Sequence, residues 1–148
     1  MKNIRFSSAA LILVALISTA CAKPTMATSP STVGGSFALT SGQLTGTWTL
    51  TALQPTGQPS QASPDAYAIT FIDGRISTRV DCNVCNGAFA LAGQTLTVGP
   101  NLACTRAACP TMAFETLYTS ILSGDHTAEV TGNTLMLSSS RGRPAFTQ

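Results

Sequence analysis

Charged residues are scarce in this sequence of 148 residues, of which Asp, Glu, Lys and Arg make up 9 %. From Cys21 onward, six basic and six acidic side chains leave a net side-chain charge of zero, because the excess of positive charge lies at the front of the chain. Nucleic-acid binding needs a clustered basic surface. The composition therefore excludes nucleic acid as an expected partner.

Residues that commonly carry catalysis are also scarce. His126 is the only histidine, and no lysine follows Lys23, so the folded part offers no lysine nucleophile. A Ser-His-Asp triad would have to use His126, which we interpret as a surface or edge residue. The folded part also has no Gly-x-Ser-x-Gly elbow and no glycine-rich loop for phosphate. We predict a protein that is not an enzyme and needs no cofactor.

No apolar run in the sequence is long enough to span a bilayer comfortably. The run from Ala9 to Ile17 follows the basic residues Lys2 and Arg5 and precedes the small residues Ser18-Thr19-Ala20. A short apolar run with these flanks is typical of an export signal. We therefore predict that residues 1–20 are a signal peptide.

The cysteine that follows this run indicates lipidation. Ser18-Thr19-Ala20-Cys21 resembles a bacterial lipobox, although that pattern usually has Leu at the position of Ser18. Lipid on Cys21 would anchor the protein to a membrane of the cell envelope, facing the periplasm. Ala20-Cys21-Ala22 would also suit ordinary signal peptidase, which would give a secreted protein. We favour the lipoprotein, because an odd cysteine in an exported chain needs a partner or a modification.

The chain after the signal divides into a tether and one domain. Residues 21–42 are rich in Pro, Gly, Ser and Thr, which is typical of a mobile segment. Residues 43–148 have the length of a single domain. Because a domain of this size buries a modest core, disulfides would stabilise it noticeably.

Alternating apolar residues predict antiparallel strands in this domain. The predicted strands are Gly46–Leu53, Tyr67–Ile72, Arg75–Val80, Gly87–Leu91, Thr95–Val98, His126–Val130, Thr134–Leu137 and Pro144–Thr147. One helix is predicted over residues 110–122, with Pro110 in its first turn and Gly124 just past its end. The fold class is α+β, mainly antiparallel β, as a curled sheet or partial barrel with one helix.

Four cysteines, Cys82, Cys85, Cys104 and Cys109, flank the second predicted hairpin. Exported proteins form and keep disulfides, and three pairings are possible. A hairpin register with Phe89 opposite Leu96 brings the two cysteine pairs together. We favour Cys85–Cys104 with Cys82–Cys109 over the alternatives, which stay open. A zinc site made of the four thiolates is the rival hypothesis, and we expect no metal because thiolates rarely stay reduced after export.

Other residues in this region have expected structural roles. Trp48 alternates with polar neighbours, so we place it in the core. We interpret Arg106 as part of a salt bridge or as a clamp on backbone carbonyls beside the disulfides. Asn83 and Asn86 are expected to cap turns.

Several motifs resemble those of the META domain family, also called HslJ-like. Leu44–Trp48 resembles the opening Leu-x-Gly-x-Trp of that family, and Asp81–Asn83 resembles its Gly-Cys-Asn element. Residues 103–110 resemble its Thr-Arg-x-x-Cys segment, which leads into a helix, and residues 133–137 resemble its closing strand. Nearly all of residues 43–148 is covered by the resemblance.

The sequence departs from the family pattern at a few positions. Asp81 stands where the family usually has Gly, and Phe89 stands where it has Tyr. Cys85 and Cys104 occur in only some members. The Asp81 change puts a close backbone approach there in doubt, and no binding role of the family's Tyr hydroxyl carries over to Phe89.

The resemblance implies a small, mostly antiparallel β fold with one helix. It also implies a bacterial envelope lipoprotein or secreted protein linked to stress response, without established catalytic residues. The leading hypothesis is therefore a disulfide-stapled domain with a non-enzymatic binding or envelope stress-response role. A small apolar ligand carrier and a zinc-binding module are the alternatives.

Overall fold

The computed structural model describes residues 38–148. The predicted signal peptide, Cys21 and most of the predicted tether lie outside these residues. Within residues 38–148, no helix is long and apolar enough to cross a membrane.

The described residues form ten strands and two helices. In chain order these are α1 Ser41–Leu44, β1 Gly46–Pro55, β2 Gln61–Ala62, β3 Tyr67–Ile72, β4 Arg75–Val80, β5 Asn83–Ala92, β6 Thr95–Val98, β7 Ala103–Cys104, α2 Met112–Leu122, β8 Gly124–Thr131, β9 Thr134–Ser138 and β10 Gly142–Thr147. Each predicted strand is found within one of these elements, and β3 and β4 have the predicted bounds.

Eight of the strands close into an antiparallel barrel. The order is β10-β9-β8-β6-β5-β4-β3-β1, and β1 pairs with β10 to complete the circle. The short strands β2 and β7 pair with β1 and β5. The predicted mainly antiparallel fold is confirmed, and the barrel is closed where the prediction had a curled sheet or partial barrel. Closure depends on β1, whose first half pairs with β3 and whose second half pairs with β10, with a register shift between Leu50 and Ala52.

Side chains fill the inside of the barrel. The largest fully buried ones are Trp48, Tyr67, Tyr118, Phe71, Phe146, Leu44, Leu53, Ile69, Ile76, Leu96, Leu122 and Leu135. Trp48 is a core residue as predicted, and its indole N–H donates to the carbonyl of Leu44 at 2.8 Å. An eight-stranded barrel is just wide enough for side chains to fill or to hold one small ligand. In this barrel, buried side chains occupy the interior.

Helix α2 packs its predicted apolar stripe onto the core, burying Tyr118, Ile121 and Leu122. The Tyr118 ring makes edge contacts with Tyr67, and its hydroxyl lies 3.1 Å from the Thr78 hydroxyl oxygen. Burial raises the pKa of Tyr118 far above its ordinary value, so it stays neutral.

The predicted first turn of this helix was wrong by two residues. The helix begins at Met112, and Pro110 precedes its N-cap, Thr111. The Thr111 amide and hydroxyl both donate to the carboxylate of Asp81 on a neighbouring segment. This tertiary contact fixes the start of the helix, whereas the position of Pro110 suggested an earlier one.

A second, short helix precedes the barrel, so the prediction of one helix was incomplete. At its start, the Thr40 amide and hydroxyl donate to the Gln43 side-chain oxygen, each at 2.9 Å. Leu39 and Leu44 are buried in the core, although Leu39 lies in the segment expected to be a tether. A helix of four residues is too short to show an apolar period, which is why the sequence did not predict it.

The predicted register of the second hairpin was also wrong. Phe89 pairs with Val98, and Leu96 pairs with Leu91. The turn is Gly93–Gln94, with Gly93 at a φ of 62°, the backbone conformation that a type II′ turn requires at its first central position. Residues 99–102 are not part of the β5–β6 strand pairing. After them, Cys104 lies opposite Cys85.

Candidate functional site

Two disulfides join the block that begins at Asp81. Cys85 and Cys104 are directly paired residues of β5 and β7, with Cα atoms 4.0 Å apart. Cys82 and Cys109 link the start of β5 to the segment before α2, with Cα atoms 5.8 Å apart. The favoured pairing is therefore the one present in the structure. Because all four cysteines are in disulfides, none of them is a thiolate that could bind zinc in this oxidised state.

Asn83 organises the block from inside. Its side chain was expected to cap a turn around the cysteines, and it is fully buried beside the cysteine loop. Its Oδ1 accepts from the Thr105 hydroxyl at 2.9 Å and from the Ala107 amide at 2.8 Å. Its Nδ2 donates to the Ala107 carbonyl at 3.0 Å and to the Glu115 carboxylate at 3.0 Å. One amide side chain thus joins β5, the loop after β7 and the first turns of α2.

Asp81 also connects β4 to the start of α2. It has a φ of 59°, a left-handed conformation that favours glycine, which accounts for the Gly that the META pattern has at this position. Its carboxylate accepts from the Thr111 hydroxyl at 2.6 Å and from the Thr111 amide at 2.8 Å. These bonds lower the pKa of Asp81 below its ordinary value, because they favour the ionised form.

A surface groove lies beside the block, which we call the Arg106 groove. It has a volume of about 320 Å³ and is lined by Asn83, Cys104, Thr105, Arg106, Ala107, Ala108, Met112 and Glu115. Arg106 is exposed there and forms neither the predicted salt bridge nor a carbonyl clamp with any residue of the described range 38–148. Met112 and Glu115 were not predicted as neighbours of this loop. The signal was their place in the helix directly after Cys109, which brings its first turns beside the cysteine loop.

His126 is buried in the core, so its interpretation as a surface or edge residue was wrong. It faces inward on β8 because residues alternate along a strand, and its Nε2–H donates to the Leu122 carbonyl at 2.8 Å. The buried Nδ1 has no hydrogen-bond partner among residues 38–148. Burial lowers the pKa of His126, and the positive charge of Arg141 adds to that effect, while the Leu122 carbonyl and Asp125 partly oppose it. Within residues 38–148, the one hydrogen-bond partner of this ring is the Leu122 carbonyl.

The buried histidine makes stability depend on pH. Well above about pH 6.5, His126 is neutral in both the folded and the unfolded chain, so its burial costs no stability there. As the pH falls toward the lowered folded pKa, the unfolded chain takes up the proton first. The free energy of unfolding should then fall by up to about 1.4 kcal/mol per pH unit.

Urea unfolding over a pH series from neutral to mildly acidic measures this effect. Because His126 is the only histidine, the His126→Gln variant, whose amide can donate to the same carbonyl, should lose the slope between about pH 6.5 and pH 5. An equal slope in both proteins would contradict the assignment.

No cluster of three or more His, Cys, Asp or Glu side chains within residues 38–148 has the arrangement of a metal site.

The model of the META domain family matches residues 40–148. Among solved structures, the fold is similar to a Burkholderia xenovorans protein determined by NMR, at 22 % identity and a TM-score of 0.60, covering 72 % of this chain and 84 % of that one. It is also similar to a duf4847 family protein from Bacteroides vulgatus, at 15 % identity and a TM-score of 0.54, covering 70 % and 92 % of the two chains. A lipocalin-like protein from Bacteroides uniformis matches at 18 % identity and a TM-score of 0.50, covering 72 % and 98 %. No curated protein matches the chain. Because the family model covers most of the sequence and nearly all of the described residues, the chain belongs to the META domain family.

Proposed function

We propose that this protein is an exported, non-enzymatic binding protein, anchored by a lipid on Cys21 to a membrane of the cell envelope and facing the periplasm. Its proposed role is to support the envelope under stress. The observation that carries the proposal is the pair of disulfides, Cys82–Cys109 and Cys85–Cys104. Disulfides of this kind form and persist in oxidising compartments, which agrees with an export signal over residues 1–20.

A binding role suits the side chains that the barrel presents. The only histidine is 2 % exposed, and its Nε2–H already donates to a helix carbonyl. The Arg106 groove, in contrast, is open to solvent and lies on a loop held at both ends by disulfides. One structural neighbour is described as lipocalin-like, and that likeness concerns the fold. A ligand of this protein would bind at the groove, because side chains occupy the barrel interior.

Fractionation of cells that express the full chain tests the proposed location. The wild-type protein should incorporate labelled fatty acid and sediment with membranes. The Cys21→Ser variant should carry no label and appear in the soluble periplasmic or secreted fraction. Cys85→Ala is the matched control, because it removes a different cysteine and should keep the label. An unlabelled wild-type chain in the cytoplasm with free thiols would contradict the proposal.

A further inference from the structure

The Arg106 groove contains two opposite charges that do not neutralise each other. Arg106 and Glu115 both line it, yet they form no ion pair. All six acidic residues of the chain lie within residues 38–148, and none of them pairs with Arg106 there. Glu115 accepts hydrogen bonds from Asn83, a neutral amide, and no basic residue within residues 38–148 forms an ion pair with it. The groove lining therefore offers one positive and one negative charge to a ligand.

The backbone of the loop that carries Arg106 is held in place before any ligand arrives. Arg106 lies in a loop whose ends, Cys104 and Cys109, are both disulfide-bonded. Inside the loop, the Thr105 amide donates to the Val84 carbonyl at 3.0 Å, and the Ala107 amide donates to Asn83. Binding to a preorganised loop costs less conformational entropy than binding to a mobile one.

An apolar surface completes the groove. Met112 is 49 % exposed, one of three large hydrophobic residues with high exposure in the described range, and it lies with Ala107 and Ala108 in the lining. A methionine side chain adapts its shape to different apolar groups. The volume of about 320 Å³ is at the small end of the range for small-molecule sites.

We infer that the Arg106 groove binds a short peptide with free ends, whose carboxylate contacts Arg106, whose ammonium group contacts Glu115 and whose apolar side chain packs on Met112. This inference rests on the proposed binding function and names its ligand class. A guanidinium recognises a carboxylate through paired, charge-assisted hydrogen bonds. A larger groove of about 460 Å³ lies near β8 and β9, but its single charged residue, Asp125, already accepts from Thr97, and it presents no positive charge.

Calorimetric titration of the purified full chain, with both disulfides intact, tests the inference. The probes are the dipeptide alanyl-leucine, its N-acetyl derivative and its C-terminal amide. Alanyl-leucine should bind at millimolar or lower concentration. Because each blocked end removes one charge-assisted contact, each derivative should bind about tenfold more weakly.

Two variants assign the ends of the peptide. The Arg106→Gln variant should bind alanyl-leucine more weakly than the wild type does, and no more tightly than it binds the C-terminal amide. It should still bind alanyl-leucine more tightly than the N-acetyl derivative. Glu115→Gln, which keeps an oxygen to accept from Asn83, should lose the distinction between the free and acetylated amine. Arg75→Gln, at the far end of β4 in an exposed position, is the matched control and should bind like the wild type. Unchanged thermal unfolding of the variants shows that they are folded.

Three results would overturn the inference. They are no heat of binding at millimolar dipeptide, equal binding of all three probes, or sensitivity to only one of the two blocked ends. These outcomes are independent of the fractionation experiment, so the envelope location can stand if dipeptide binding fails, and dipeptide binding can stand if the location fails.

Discussion

Reduction of both disulfides should lower the free energy of unfolding by about 6 kcal/mol, the largest effect expected for this protein. The residues of the two bonds are 27 and 19 positions apart, and loops of these lengths each correspond to about 3 kcal/mol of lost chain entropy. Because the 85–104 bond lies inside the loop closed by the 82–109 bond, their contributions add slightly less than fully. Domains of this size are stable by only about 5–15 kcal/mol, so the reduced domain should be partly or wholly unfolded.

Urea unfolding with and without reductant, followed by the fluorescence of the buried Trp48, measures this loss. The paired variants Cys82→Ala/Cys109→Ala and Cys85→Ala/Cys104→Ala should each lose about 3 kcal/mol in the absence of reductant. If the oxidised and reduced proteins unfold at the same urea concentration, the disulfides do not stabilise the fold as described.

The Asn83→Ala variant should lose about 3 kcal/mol of stability and about 15 °C of melting temperature. Removing the side chain deprives the Ala107 amide and the Thr105 hydroxyl of their acceptor. It also leaves the Glu115 carboxylate without its donor in a partly buried position. Each polar group left without a hydrogen-bond partner lowers the free energy of unfolding by about 1–3 kcal/mol when water cannot replace the lost partner.

Asn86→Ala is the matched control for this variant. Asn86 lies three residues further along the same strand, but its side chain is exposed. Its replacement should change stability by less than about 0.5 kcal/mol. Calorimetric melting of the two variants makes the comparison, and equal losses in both would show that Asn83 does not organise the block.

The predictions from sequence succeeded where local pattern decides the structure. The alternation along β3 and β4 and the turn Asp73-Gly74 between them gave the bounds of that hairpin. The apolar spacing along α2 predicted its buried face, since Tyr118, Ile121 and Leu122 are buried as expected. In these elements, the periodicity of the side chains and the geometry of the backbone agree.

The failures came where distant contacts decide the outcome. The start of α2 depends on a hydrogen bond to Asp81, thirty positions away, and a pattern around Pro110 cannot contain that information. The hairpin register depends on which residues take the turn, and a shift of two residues keeps the same side chains inward. The periodicity therefore fits both registers equally well.

The candidate site was predictable in its cysteines and unpredictable in its polar residues. Cys82, Cys85, Cys104 and Cys109 are chemically conspicuous, and their spacing around a hairpin limits the pairings. Asn83 was predicted only as a turn residue. Its contacts join three segments that meet only in the folded barrel, and the sequence pattern does not show them. His126 resembled a surface residue because polar side chains are more often exposed than buried. In the fold, β8 turns this ring inward, where its Nε2–H donates to the Leu122 carbonyl.

The intact mass of the protein purified from its own cell envelope, before and after reduction, tests both the lipid anchor and the two disulfides. We expect a chain that begins at a lipid-modified Cys21 and gains four hydrogen atoms on reduction, two for each disulfide. A mass without lipid, or a chain that retains residues 1–20, would contradict the proposed anchoring. Four free thiols before reduction would contradict the stapled structure itself.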